Sequence, residues 1–354
     1  MISLIFVFGG RIMAIEFYRK LPVPKTLKEM YPLSDNIIEA KTKQDALIKD
    51  VFTGESDKLV LVIGPCSADN EDAVLDYVSR LRDVQEKVSD KLVLIPRIYT
   101  NKPRTTGDGY KGLLHQPDPE SAPDLFEGIV ATRRLHTRAI EVSGLGTADE
   151  MLYPENWWYL SDVLSYCAVG ARSVEDQQHR LVASCLDVPM GMKNPTSGDL
   201  KIMLNAIHAA QNGHRFIFRG WDVQSSGNPL AHVIMRGEVN KHGNNIPNYH
   251  YEDLEFLSTL YMNGDYKNPA VIVDTNHANS GKKYMEQIRI AREVLLNRQL
   301  SPVIHKMVKG FMIESYIESG SQKIGEGVYG KSITDPCLGW NATEDLILEI
   351  AETC

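Results

Sequence analysis

Short apolar runs rich in β-branched residues recur along the chain. Each ends in polar residues and is followed by a stretch whose apolar positions return every three or four residues. That alternation predicts parallel strands joined by crossover helices. Residues 59–63 and 92–98 read as the first two strands, and Val74, Val78, Leu81, Val84 and Val88 between them fall on one helical face. Further strands are expected at 147–152, 167–170, 188–192, 216–218, 232–235, 271–274 and 308–313. Helices are expected at 125–135, through Leu200, Met203, Leu204 and Ile207, through Met285, Ile288, Ala291 and Leu295, and at 346–350. The segment from Pro103 to Pro123, rich in Gly, Pro and Asp, is too long for a neutral connector and reads as a functional loop.

About eight strand–helix units suit an α/β protein closed into a (β/α)8 TIM barrel. The barrel would occupy residues 56–354, with residues 1–55 as an N-terminal helical arm. An open doubly wound sheet is the alternative; no Gly-x-Gly-x-x-Gly follows the first strand, which weakens its dinucleotide-binding version. No stretch approaches the roughly 20 apolar residues of a membrane span. The apolar run from Ile2 to Phe8 lacks the basic start and small-residue cleavage site of a signal peptide, so Met13 is the expected natural start and residues 1–12 an extension.

Composition narrows the function. The net charge of -8 argues against nucleic acid as a partner, since phosphate-backbone binding needs a basic footprint. A small phosphorylated substrate remains compatible, because a basic pocket can sit inside an acidic shell. The five cysteines are odd in number and not spaced as in a secreted scaffold, so reduced thiols in the cytoplasm are expected.

In a barrel the active site is built where the strands end. Just after the apolar runs stand Cys66, Arg97, Glu150, Arg172, Lys193, Arg236, His277 and Glu314, with Asp335 in the loop after the last strand. Cys66, His277, Glu314 and Asp335 can each donate to a divalent transition ion, through S, N or O. Each alone is more often structural: a small core thiol, a hydrogen-bonded imidazole, a capping carboxylate. Arg97, Arg172, Lys193 and Arg236 would repel one another at one barrel mouth unless an anion sat between them. Arginine suits bidentate phosphate or carboxylate contacts and lysine a point charge. Lys102-Pro103-Arg104-Thr105-Thr106 sets two cations around a rigid proline before two hydroxyls, a string suited to a second phosphate and an adjacent carbonyl, or to a solvated turn.

Several strings in order resemble one family. Gly64-Pro65-Cys66-Ser67, Lys102 to Thr106, Gly170-Ala171-Arg172, Lys193-Asn194, His277-Ala278-Asn279-Ser280, Glu314-Ser315 and Gly330 to Asp335 look like type I 3-deoxy-D-arabino-heptulosonate 7-phosphate (DAHP) synthase, from about Pro22 to the C-terminus. The resemblance implies condensation of phosphoenolpyruvate with erythrose 4-phosphate, the first step of aromatic amino acid synthesis by the shikimate route. It implies one divalent transition metal per subunit (Mn, Fe, Co or Zn) on Cys66, His277, Glu314 and Asp335. It places phosphoenolpyruvate on Arg97, Arg172, Lys193 and Arg236, with Glu150 near the reacting carbons, and erythrose 4-phosphate on Lys102, Arg104 and Thr105, with Pro103, Gly170 and Ala171 also among the substrate-binding residues. Lys102, Glu150, Lys193 and Asp335 are then the candidates for the chemistry. It also implies a homodimer or homotetramer, formed in part through the segment from Phe17 to Phe52.

The chain departs from the family where regulated members bind an aromatic amino acid. The β-hairpin region at 216–225 looks several residues short, about three extra residues sit near Glu155-Asn156-Trp157, and Asp187 lies where members can carry serine. The Trp157-Trp158 pair could line a changed pocket or simply pack. Cys337 is expected within reach of Cys66 if the metal leaves. A Schiff-base aldolase using Lys193 and a non-catalytic binding partner are the competing functions.

Overall fold

The computed structural model describes residues 7–8, 11–12, 17–104 and 106–354. Val7–Phe8 pairs antiparallel with Arg11–Ile12. The expectation that the chain starts at Met13 falls mostly on residues outside those described.

Eight strands form one parallel sheet: β1 (Leu59–Gly64), β2 (Leu92–Pro96), β3 (Thr147–Glu150), β4 (Leu164–Val169), β5 (Met190–Lys193), β6 (Ala231–Met235), β7 (Val271–Asp274) and β8 (Val308–Glu314). Their order is β2-β1-β8-β7-β6-β5-β4-β3. A parallel bridge between Arg97 and Ala148, with Ile98 N donating to Ala148 O at 2.9 Å, closes the seam between β2 and β3. The sheet is therefore a barrel. Every strand residue is buried, as expected of strands covered on both faces.

The period-two alternation of the strands separates two cores. Leu59, Leu61 and Ile63 of β1 face outward against helices, whereas Val60 and Val62 face the barrel interior with Val93, Ile95, Ile272 and Met312. The helix before β1, α1 (Asp35–Thr53), sends Ile48, Val51 and Phe52 into that interior. Phe52 lies 4.3 Å from the His232 ring and 6.2 Å from that of Tyr166, closing the N-terminal mouth. Functional side chains are thereby confined to the opposite mouth.

The helix after β2, α2 (Leu125–Ser143), is capped by Asp124, which accepts from Phe126 N and Glu127 N. It runs past the expected 125–135 and stops at Gly144, whose φ of 69° is left-handed. Its fully buried Arg133 ties the N-terminal segment to the barrel, donating to Tyr31 O and, bidentately, to Asp162 at 2.8 and 2.9 Å.

One expected strand does not join the barrel. Arg215–Phe218 pairs antiparallel with Trp221–Gln224 in a hairpin turned by Arg219 (φ 50°) and Gly220 (φ 80°). Two positive φ angles in a two-residue loop match the twist that hairpins favour. Ile217 and Trp221 are 77% and 75% exposed, so this apolar run lies on the surface rather than in the sheet. The short strand expected at 167–170 is the second half of β4.

Candidate active site

The strand-end residues meet at one mouth. Cys66 follows β1, Arg97 follows β2, Glu150 ends β3, Gly170-Ala171-Arg172 follow β4, Lys193 ends β5 and Arg236 follows β6. His277 stands three residues beyond β7, and Asp335 comes from the loop after β8. All of these line a single cleft of about 420 Å³, together with Lys102, Pro103 and Arg104 from the long loop after β2. Glu314, the last residue of β8, is only 1% exposed and lies beneath it. Thr105 lies outside the described residues.

At one end of the cleft, single donor atoms of Cys66, Glu314 and Asp335 all lie within 4.8 Å of one another. Cys66 Sγ is 3.7 Å from Asp335 Oδ2. His277 is not part of that mutual set, but its Nε2 is 3.8 Å from Glu314 Oε1. Its backbone φ of 48° is a left-handed conformation that a histidine rarely adopts, held while the ring faces the cluster. Glu314 is fixed from both sides: Arg97 Nη2 donates to Oε1 at 3.0 Å and Asn276 Nδ2 to Oε2 at 2.6 Å. Lys282 Nζ donates to Asp335 Oδ1 at 2.9 Å.

Charge explains the states of these groups. Burial pushes the Cys66 thiol up, Glu314 adds to this, and Lys102 opposes it. Burial also pushes Glu314 up, but His277, Arg97 and Lys102 outweigh it and hold the carboxyl below its usual range. Asp335 is likewise held well below that range, by Lys102 and Lys282 against burial. Burial works against the Lys102 cation, yet Cys66 and Asp335 raise it overall, so Lys102 is an ammonium donor. Two ionised carboxylates, a thiol and an imidazole form a mixed S/N/O donor set that fits a divalent transition ion.

The other end is cationic. Arg97 stacks 3.7 Å above the Tyr99 ring and donates to Pro65 O, which fixes its plane. Lys193 Nζ is 3.6 Å from Glu150 and 3.6 Å from Asp274. Arg236 takes its position from Asn194, whose Oδ1 accepts from its backbone N at 2.9 Å. Burial lowers the Arg236 pKa and nearby Arg172 lowers it further, so adding an anion between these two guanidinium groups relieves their repulsion. Gly170 leaves room for the Glu150 carboxylate: a Cβ there would lie 2.6 Å from Oε1 and displace it. Arg104 is braced by Nε donating to Tyr110 O at 2.8 Å.

Sequence reasoning missed Asp274, Asn276, Lys282 and Tyr99. Asp274 ends β7 and satisfies the same strand-end rule as Glu150 and Lys193. The other three are placed by turns whose shape no local pattern announces.

Residues 35–348 match the pattern of the DAHP synthetase I family. The chain belongs to that family. It is 37% identical over 346 residues to the Trp-sensitive phospho-2-dehydro-3-deoxyheptonate aldolase of Enterobacter agglomerans, covering 94% of each chain. It is 36% identical over 340 residues to the Tyr-sensitive enzyme of Salmonella typhimurium, covering 93% of this chain and 92% of that one. The phospho-2-dehydro-3-deoxyheptonate aldolase of Francisella tularensis superposes with a TM-score of 0.88 at 29% identity, over 96% of this chain and 98% of that one.

This DAHP synthetase I member has a second, larger recess outside the barrel, a groove of about 1170 Å³. Trp158, Val182, Phe216, Phe218 and Trp221 line it, with Lys25, Lys28 and Arg219 at its edge. Trp158 lies 5.5 Å from the Phe218 ring, whereas Trp157 is 3% exposed and packs in the core. The tryptophan pair is thus split between the two expected roles. Asp187 does not line the groove.

Proposed function

We propose how this cleft carries out the reaction of its family. The reaction joins phosphoenolpyruvate to erythrose 4-phosphate with water, giving DAHP and phosphate, and opens aromatic amino acid biosynthesis. The observation that carries the assignment of roles is the meeting of Cys66, Glu314 and Asp335 beside Arg97, Arg172, Lys193 and Arg236 in one cleft.

The four cations hold the phosphate and carboxylate of phosphoenolpyruvate, which removes much of the entropic cost of a two-substrate step. Arg104, with Pro103 and Thr105, receives the phosphate of erythrose 4-phosphate. A divalent transition metal held by Cys66, His277, Glu314 and Asp335 would supply Lewis-acid polarisation of the aldehyde. Lys102 donates a hydrogen bond to the same oxygen. The methylene carbon of phosphoenolpyruvate forms the new bond to the aldehyde carbon, and its neighbouring carbon becomes cationic. Glu150 and Lys193 position the water that adds there, after which the carbon–oxygen bond to phosphate breaks.

Lys193 lies between two carboxylates rather than in the apolar pocket that a Schiff-base lysine uses, which disfavours the aldolase alternative. The full polar set disfavours a purely binding role. The apolar groove beside the hairpin fits an aromatic amino acid effector, its rings supplying stacking and Lys25, Lys28 or Arg219 meeting the carboxylate. Residues 56–354 are the catalytic barrel, the preceding helices contribute to a homodimer or homotetramer, and the enzyme works in the cytoplasm.

The test is phosphate release with both substrates, each omitted in turn, with and without chelator. Release should need both substrates, stop on chelation and return with a divalent transition ion. Undiminished turnover of metal-free protein refutes the metal, and release with one substrate alone refutes the condensation.

A further inference from the structure

Asp274 touches both halves of the cleft without being one of the candidate metal ligands. It ends β7 and is fully buried. Its Oδ1 accepts from Asn276 N at 3.0 Å, which fixes the carboxylate plane. Its Oδ2 then faces two groups of opposite assignment: His277 Nδ1 at 2.8 Å and Lys193 Nζ at 3.6 Å. A buried carboxylate is costly unless its charge is met, and here His277, Lys193 and Arg236 together hold it well below the usual range.

We propose that Asp274 is a positioning residue that couples the metal end of the cleft to the phosphoenolpyruvate end. The inference rests on the metal reading given above. An imidazole has two nitrogens, and the partner of one fixes what the other can do. With Nδ1 turned to Asp274, Nε2 is the nitrogen that faces Glu314, and a carboxylate behind a ligating histidine fixes the ring and raises its basicity. The left-handed backbone of His277 makes this support matter more, since that conformation costs on the order of 1–3 kcal/mol unless its surroundings over-determine it. On the other side, Asp274 and Glu150 hold the Lys193 ammonium between them. Removing the Asp274 charge leaves Glu150 as the remaining carboxylate beside Lys193 and lets the ammonium shift from the position where it meets phosphoenolpyruvate.

Asp274→Asn keeps the shape and removes the charge. The holoenzymes of wild type and variant are dialysed against graded chelator and their retained metal is measured directly, without substrate. The variant should lose metal at about 10- to 100-fold lower chelator. In the metal-saturated enzymes, half-saturation by phosphoenolpyruvate should rise several-fold while that by erythrose 4-phosphate stays the same. Thr275→Val, which removes a buried hydroxyl bonded to Gln287 and Met312 on the same turn, serves as the structural control and should retain metal like wild type. Equal metal retention in Asp274→Asn and wild type overturns the proposal. So does a phosphoenolpyruvate half-saturation that falls, as simple removal of a negative charge near an anion site would give. A wild-type protein that holds no metal refutes the underlying reading instead, and the two failures are thereby distinct.

Discussion

The ammonium of Lys102 lies 2.6 Å from the sulfur of Cys66. The same nitrogen is 3.4 Å from Asp335 Oδ2, so one cation from the long β2 loop bridges two candidate ligands brought by β1 and by the loop after β8. Lys102→Met should retain metal but lower kcat by about 100- to 1000-fold, the usual loss when one donor to a developing oxyanion is removed. Cys66→Ala should lose metal and activity together, whereas Cys167→Ala, on β4 and outside the cleft, should keep both. Metal content beside phosphate release separates the three variants.

Cys337 is fully buried, and burial pushes its thiol well up, with Glu314 and then Cys66 adding to this. Metal-stripped protein exposed to air should lose activity that a thiol reductant and metal restore, through a Cys66–Cys337 disulfide. Cys337→Ser should resist this loss. An equally sensitive variant, assayed for recovery with metal, would count against the pairing.

Burial lowers the His232 pKa from 6.5 to about 4. Its Nε2 meets the Tyr166 hydroxyl at 2.8 Å, and its Nδ1 lies 2.9 Å from Leu230 O. Above pH 6.5 both folded and unfolded imidazoles are neutral and the full stability is present. Between pH 6.5 and 4 the unfolded chain takes up a proton that the folded one refuses, so stability falls as pH falls, by about 3 kcal/mol at most. The stability advantage of wild type over His232→Gln, measured by denaturant unfolding, should therefore shrink from pH 7 to pH 4.

Phe52 closes the far mouth of the barrel and is 2% exposed. Phe52→Ala should cost about 3–5 kcal/mol, read as a lower denaturation midpoint. The cleft is at the opposite mouth, so kcat of the folded fraction should remain within about twofold of wild type.

The aromatic groove predicts feedback control. One of phenylalanine, tyrosine and tryptophan should inhibit phosphate release, and Trp158→Ala should raise its half-inhibiting concentration about tenfold, the equivalent of 1.4 kcal/mol. Inhibition unchanged by that substitution places the effector elsewhere.

Local pattern was enough for the strand–helix alternation, because a parallel barrel strand such as Leu59–Gly64 is apolar throughout and ends in polarity. The strand expected at 216–218 is present, but as one arm of a surface hairpin outside the barrel; a three-residue apolar run carries no sign of which partner will pair with it. Strand-end reading found Cys66, Arg97, Glu150, Lys193 and Glu314. It passed over Asp274, counted with its apolar strand, and could not see Asn276 or Lys282, whose places depend on a turn with backbone angles that sequence does not announce.

By itself, then, the chain determined its elements, its family and the identity of nearly every group at the strand ends, since those follow from periodicity and from residue types in order. Only the tertiary structure decided that Phe52 plugs one mouth, that Glu314 lies beneath the cleft while Asp335 lines it, and that Asp274 faces both His277 and Lys193. Those are distances between residues far apart in the chain, set by closure of the sheet through the Arg97–Ala148 seam, and no local spacing encodes them.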